Sequence, residues 1–417
     1  MTRAGVPYSE REYWVSVLLM CEAGTALALC PVFGYLVDRV HTRKFPFLSA
    51  LVILAGCMVI QHTSHSLAIF IVGRLFQGCA AALVVVASFA LLNDSVPLEH
   101  LGQTIGYLGS AIALGFLLGP FLGGIVFHAG GYNAVFYVAY SIIAVDCAMR
   151  VTMIEKRAAI RWEQESVTEQ QPNGNASPGR ESASTEQNQD IGQTRGTKFA
   201  LFRILQQRRV LLSSWALLAQ GILVSAFDAT LPIFVETRYG WSELGMGLIF
   251  LPMAIPAFLE PLFGFITDRC GARLIACACF CLLCPALICL RFAERDDIAY
   301  MVLLIILLFL IGVFIHACTP AMFVETQRAL TAMEAENPGC LGPTGAVAQG
   351  FGLQSMCQFA GVFFGPLWGG FVEYRFGWGT MSGSLGMLAA LTAVPMLWLS
   401  TDEHEEDDED REPLFRC

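Results

Sequence analysis

Apolar positions in this chain fall in long unbroken runs separated by short polar breaks, rather than in alternation or along one stripe. A helix needs about 20 apolar residues to cross the hydrocarbon core of a bilayer. Runs of that order occupy residues 14–37, 46–64, 67–92, 102–127, 132–152, 210–235, 243–266, 274–292, 299–324, 346–372 and 381–399. The pattern predicts eleven membrane-spanning helices and an all-α integral membrane protein. Composition agrees, because 55% of residues are hydrophobic and 14% charged, against roughly 25% charged in soluble proteins.

Two segments depart from the pattern. From Glu155 to about Gly196 the chain is polar and repetitive (ESVTEQQPNGNASPGRESASTEQNQD), too poor in apolar side chains to offset the entropy of folding. It is expected to be a disordered linker. The last residues, TDEHEEDDEDREPLFRC, hold nine acids and two arginines and carry −7 of the chain's net −10. The acidic balance is therefore mostly a property of a tail and does not point to nucleic acid or to an acidic ligand. The expected organisation is an N-terminal bundle of five spans (1–152), a cytosolic linker (153–206), a C-terminal bundle of six spans (207–399) and an acidic cytosolic tail (400–417). With the linker in the cytosol, eighteen Lys and Arg lie on its side and six on the other, with Arg74 inside a span. That bias sets the orientation, with Met1 outside and Cys417 inside.

The chain repeats itself. Gly106, Gly115, Gly119, Pro120, Gly123 and Gly124 recur at the same spacing as Gly352, Gly361, Gly365, Pro366, Gly369 and Gly370, an offset of 246 residues. GYLVDRVHTRK, from Gly34, has a counterpart in GFITDRCGARL, from Gly264, at an offset of 230. Both pairs keep their orientation, so the repeats are parallel. Gly119 and Gly123 share one helix face, as do Gly365 and Gly369. The expected arrangement presses these two smooth faces together, so that leucine at Gly119 or Gly365 does far more harm than leucine at Gly102, near the cytosolic edge.

These motifs carry a resemblance. GYLVDRVHTRK resembles the signature between the second and third spans of the major facilitator superfamily, and GRLFQG (Gly73 to Gly78) is similar to its fourth-span R-x-x-Q-G element. The glycine–proline pattern is similar to the antiporter motif of the twelve-span drug:proton antiporters. With FDATLPIFVETRYGW and GPLWGGFVEYRFGWGTM, the chain resembles the fungal branch related to vesicular amine transporters, over nearly all its length outside linker and tail. The resemblance implies a major facilitator fold of two parallel-repeat helical bundles. It implies a monomeric proton-coupled antiporter that exports drugs, secondary metabolites or other small organic molecules by alternating access, in the plasma membrane or in a vacuolar or vesicular membrane. Two departures stand out. Family members have two spans before the first D-R signature and this chain has one, so the first helix is expected to be missing; a transport-inactive, truncated or sensor-like relative is the alternative. His41 stands where the signature usually has glycine, against Gly271 in the second copy.

An ionisable group inside a span is costly and suggests function. Arg74, by the resemblance, helps to couple proton movement; the alternative is a structural arginine bonded to carbonyls of a neighbouring helix. Asp228, in the outer half of its span, is a proton or cation site or else a packing carboxylate. Glu22, about 18 Å of helix rise from Gly34, reaches a cavity or a wetted wall. Glu260, about 6 Å before Gly264 by the same rise, reads as part of the cytosolic charge cluster, and His316 as a satisfied packing histidine. At the cytosolic edge, Asp38 with Arg39, Arg43 and Lys44 can bond to neighbouring helix ends as a latch. Asp268, Arg269 and Arg273 form a weaker mirror of it, unless both are bare topology signals. CACFCLLC (Cys277 to Cys284) lies in an apolar span with no histidine nearby, where cysteine acts as a small hydrophobe, so no metal is expected. No nucleophile–base constellation, phosphate loop or nucleotide motif is present, which argues against an enzyme and against ATP as energy source. The expected partners are a small organic substrate, protons and the lipid bilayer, with no cofactor.

Overall fold

The structure is a computed structural model that describes residues 11–40, 42, 44–152, 200–241, 243–294, 297–342 and 345–401. The expected linker as far as residue 199, the tail beyond Thr401, and His41 and Arg43 lie outside the described residues.

Helices cover all eleven expected spans. They are α1 (Arg11–Arg39), α2 (Lys44–Thr63), α3 (Leu67–Ser95), α4 (Leu101–Thr152), α5 (Arg208–Tyr239), the short α6 (Glu243–Leu248) and α7 (Leu251–Ala254), α8 (Glu260–Cys270), α9 (Ala272–Cys289), α10 (Ile298–Glu336), α11 (Val347–Phe376) and α12 (Trp378–Thr401). Eight stretches among the described residues are individually long and apolar enough to cross a membrane. Large side chains such as Val52, Ile142, Leu274 and Val394 are more than half exposed, the surface that a protein solvated by lipid tails presents.

Two irregularities follow from particular residues. α4 holds two spans in one run, and its backbone turns at Gly131 (φ 73°, ψ −169°), a conformation open to glycine because it has no Cβ. The span at 243–266 is broken into α6, α7, a 3-10 turn (Ile255–Leu259) and α8. Pro252, Pro256 and Pro261 each stand at the start of a segment, where a missing N–H is tolerated. Pro261 cannot supply the N–H that the Ala257 carbonyl would take in a regular helix. That carbonyl accepts the Glu260 N–H of the 3-10 turn and, at 2.7 Å, the Ser110 hydroxyl of α4.

The chain forms two compact units. The first comprises the residues to Ser95, Val126 to Gln206 and Leu330 to Gly352; the second comprises Val96 to Ile125, Gln207 to Ala329 and Leu353 onward. In the first, α3 packs against both α1 and α2 through fully buried small residues, among them Ala26, Cys30, Ala80 and Ala87. Small side chains let helices approach when lipid supplies no hydrophobic drive between them. At Gly78 the approach is so close that a Cβ would overlap the Glu22 carbonyl. In the second unit α9 packs along α12, Phe234 stacks on Trp378 at 3.9 Å between ring centroids, and the Trp378 indole donates to the Leu290 carbonyl at 3.2 Å.

Candidate functional site

The two Asp-Arg signatures and the two glycine–proline spans meet in pairs, once in each unit. In the first unit, Asp38 near the end of α1 accepts the backbone N–H groups of Ala348 and Gln349, at 3.1 and 2.9 Å. These are among the first residues of α11, whose N–H groups have no partner within their own helix. In the second unit, Asp268 of α8 accepts the N–H groups of Gly102 and Gln103 at the start of α4, both at 2.9 Å. Each carboxylate thus meets the positive end of a helix dipole and two orphan donors at once.

The glycine four residues before each aspartate lies on the same helix face, and the contacts show why it is glycine. A Cβ at Gly34 would lie 2.7 Å from the Ala348 carbonyl, and one at Gly264 would overlap the Gly102 carbonyl. On the opposing helices the first glycine of each glycine–proline motif is equally close. Gly352 stands on the Cys30 carbonyl and on Gly34, and Gly106 on the Glu260 carbonyl and Pro261. Asp268 thus makes the same two-amide contact as Asp38.

The basic residues of the signatures do other work. Arg39 stacks over Tyr35 and Arg269 over Phe265, one turn back on their own helices, at 4.4 and 4.2 Å to the ring centroids. Lys44 opens α2. Arg273 pairs with Glu325 of α10 at 2.8 Å, and Arg209 of α5 reaches the same Glu325 oxygen at 2.9 Å. The Glu325 side chain is only 5% exposed. The sequence reading did not single it out, because it stands just past the end of an apolar run among polar residues and its two arginines are 52 and 116 positions away. Breaking a buried ion pair by removing one partner costs about 3–5 kcal/mol. Glu325→Gln is therefore expected to lower the thermal unfolding midpoint of the detergent-solubilised protein more than Arg209→Gln does, since Arg209 is more exposed and Arg273 would still hold the carboxylate. Equal midpoints for the two variants would remove Glu325 from its central place.

Within the spans, Arg74 of α3 and Glu22 of α1 meet directly, Nη1 to Oε2 at 2.7 Å. The two expected coupling residues form one partly exposed pair, with Arg74 Nε buried and unbonded beside it. Asp228 is exposed on α5 and bonds to no described residue. Glu260 departs from its reading as part of the cytosolic cluster. It is buried and its Oε1 lies 2.5 Å from Nδ1 of His316 on α10, so His316 is not a lone packing histidine either.

The glycine-rich spans also depart from expectation. A Cβ at Gly115, Gly119, Gly123 or Gly124 would meet nothing within 4 Å, and Gly370 is equally open. Pro120 lies within α4 and Pro366 within α11. Gly361, Gly365 and Gly369 press instead on α5, against Gly221, Ser225 and Ala226, where the Ser225 hydroxyl is shared between the Gly221 carbonyl at 2.6 Å and the Gly361 carbonyl at 3.1 Å. The smooth faces of the two spans are not packed on each other. Gly102, expected to be tolerant, has the Asp268 carboxylate and the Gly264 carbonyl directly over it.

The sequence profile of the Major Facilitator Superfamily matches residues 13–335 and 243–415. An MFS-type transporter, ppzB, of Metarhizium rileyi is 28% identical over 421 residues, covering 94% of this chain and 87% of that protein. Multidrug resistance protein 1 of Bacillus subtilis is 22% identical over 387 residues, covering 89% and 85%. Among solved structures, the proton:xylose symporter XylE superposes with a TM-score of 0.72 at 15% identity, covering 95% of this chain and 88% of its own. The human organic anion transporter MFSD10 superposes with 0.65 at 18%, covering 91% and 83%.

Proposed function

This chain belongs to the Major Facilitator Superfamily, and we propose that it is a proton-coupled antiporter that exports small organic molecules, drugs or secondary metabolites among them, by alternating access. The observation that carries this reading is the pair of matched latches. Each of the two repeated glycine–proline spans has its first amides held by an aspartate that can be protonated. In the proposed cycle the helices of 1–152 and 207–399 move as two halves, as a monomer. The carboxylates of Asp38 and Asp268 hold the cytosolic ends of α11 and α4 while they are ionised. A proton on either carboxylate cancels the charge that meets the helix dipole and turns one accepting oxygen into a hydroxyl, which weakens that latch. Arg74 with Glu22, and Asp228, supply further charge to couple this motion to protons. The names of relatives such as Multidrug resistance protein 1 support export of organic molecules, and the plasma membrane is the proposed location.

The test uses the full chain in proteoliposomes with an imposed pH gradient and ethidium as probe. Gradient-driven ethidium movement that a protonophore abolishes is expected, and Arg74→Met should lower it at equal protein. Ethidium movement that ignores the gradient would remove proton coupling, and none at all would remove organic-cation export.

A further inference from the structure

We propose that Glu260 and His316 form a single proton-carrying site in the second unit, with the carboxyl as store and the imidazole as port; the inference rests on the proton-coupled reading above. The pair is short, Nδ1 to Oε1 at 2.5 Å, and unequally exposed, with 5% of the Glu260 side chain and 23% of the His316 side chain accessible. The second carboxylate oxygen, Oε2, is buried and has no hydrogen-bond partner among the described residues.

The surroundings leave the pair to balance its own charge. From α4 it is faced by Gly106 and Gly109, with the Ser110 hydroxyl committed to the Ala257 carbonyl. From α5, Gln220 donates to the Ile315 carbonyl and to the Thr319 hydroxyl, on either side of His316. On α8 itself the next acid, Asp268, is engaged with the amides of Gly102 and Gln103. His316 is the one charged or titratable side chain recorded against Glu260 among the described residues. With a neutral imidazole donating Nδ1–H to the carboxylate, the pair carries −1. One proton from water, bound at Nε2 or at Oε2, brings it to zero, and its return to water restores −1. An uncompensated charge in an apolar interior is costly, so loading and unloading that proton changes how readily the site stays dry.

The placement links this charge to moving parts. Glu260 is the first residue of α8, directly after the 3-10 turn and next to Pro261, and broken spans are where transporters gather their ion-binding groups. A Cβ at Gly109 would overlap Glu260 Oε2, so α4 rests on the carboxyl with no side chain between them. Glu260 and Asp268 are eight residues apart on one helix, about 12 Å of rise. Movement of α8 when the proton arrives is therefore carried to the latch on α4.

The experiment is infrared difference spectroscopy of the purified full chain in lipid vesicles, without substrate, between about pH 5 and about pH 8, where histidine changes charge. A protonated-carboxyl band that grows as pH falls, together with imidazole bands, is expected. One component of it should be missing in Glu260→Gln, and that component should move its midpoint by about one pH unit or more in His316→Gln. A wild-type spectrum with no such band, or a band that Glu260→Gln leaves unchanged in size, overturns the proposal. Should Glu260→Gln not fold, an unchanged midpoint in His316→Gln overturns it. Ethidium flux separates this inference from the reading beneath it. If the bands behave as expected while the wild type moves no ethidium, the exporter reading fails and the proton site stands. If gradient-driven ethidium flux is intact in Glu260→Gln, the site is not the carrier.

Discussion

Gly102→Leu will reduce ethidium flux by about 100-fold or more, whereas Gly119→Leu will stay within about threefold of the wild type. At Gly102 even a Cβ would collide with the Asp268 carboxylate and the Gly264 carbonyl. The three further heavy atoms of leucine and the loss of close approach combine two penalties. Overpacking a tight contact costs about 1–3 kcal/mol, and pulling a carboxylate off two N–H groups forfeits hydrogen bonds of about 1.5–3 kcal/mol each. At 1.4 kcal/mol per factor of ten, even the lower ends of these ranges suffice. At Gly119 the corresponding space holds no atom within 4 Å, so the change is of the surface kind, within about 0.5 kcal/mol. Folded yield of fluorescent fusions and flux at equal protein measure both. The reverse order, Gly119→Leu dead and Gly102→Leu active, would restore the packed glycine faces that the sequence suggested.

Asp38→Asn will accelerate amide exchange at residues 348 and 349 by about 20- to 700-fold and leave residues 102 and 103 as they were; Asp268→Asn will do the opposite. Asparagine keeps one accepting oxygen, but it turns an NH2 toward the other backbone N–H and removes the charge that meets the helix dipole. A hydrogen bond to a charged group is worth about 1.5–3 kcal/mol and a charge at a helix N-terminus about 0.3–1 kcal/mol, which together set the factor. The latches share no residue and lie in separate units, so the double variant should show the sum of the two effects. Hydrogen exchange read by mass spectrometry on the full chain in vesicles resolves both segments. Acceleration of both segments by either single variant would mean that the latches are not independent. Transport should fall in each variant while the protein still reaches the membrane.

The spans could be read directly from the chain because the bilayer imposes a one-dimensional demand. About 20 apolar residues must follow one another, whatever the rest of the protein does. Hence all eleven runs are helical, the break between the spans of α4 falls at a glycine, and Pro252, Pro256 and Pro261 punctuate the span that begins at Glu243. The repeats were equally legible, since a duplicated spacing survives in the order of residues alone. So was Asp38 as an acid that bonds to a neighbouring helix end, because an acid beside the end of a span calls for a donor.

Which donor it finds is a matter of contact across the chain. Asp38 bonds to amides 310 and 311 positions away, and Asp268 to amides 166 and 165 positions back. No periodicity in the sequence encodes such a pairing. The same holds for the glycines. Spacing by four places Gly119 and Gly123 on one face, but whether a face meets a helix or open space depends on what packs there, and it is Gly361 and Gly365 that meet α5 while Gly119 meets nothing. Glu260 was misjudged for the same reason. Its distance along α8 from Gly264 is a local quantity, whereas the imidazole that compensates it comes from α10, 56 residues further on. Hydrophobic burial and helix geometry act along the chain and are written in its order. Charge compensation acts through space and belongs to the packed molecule.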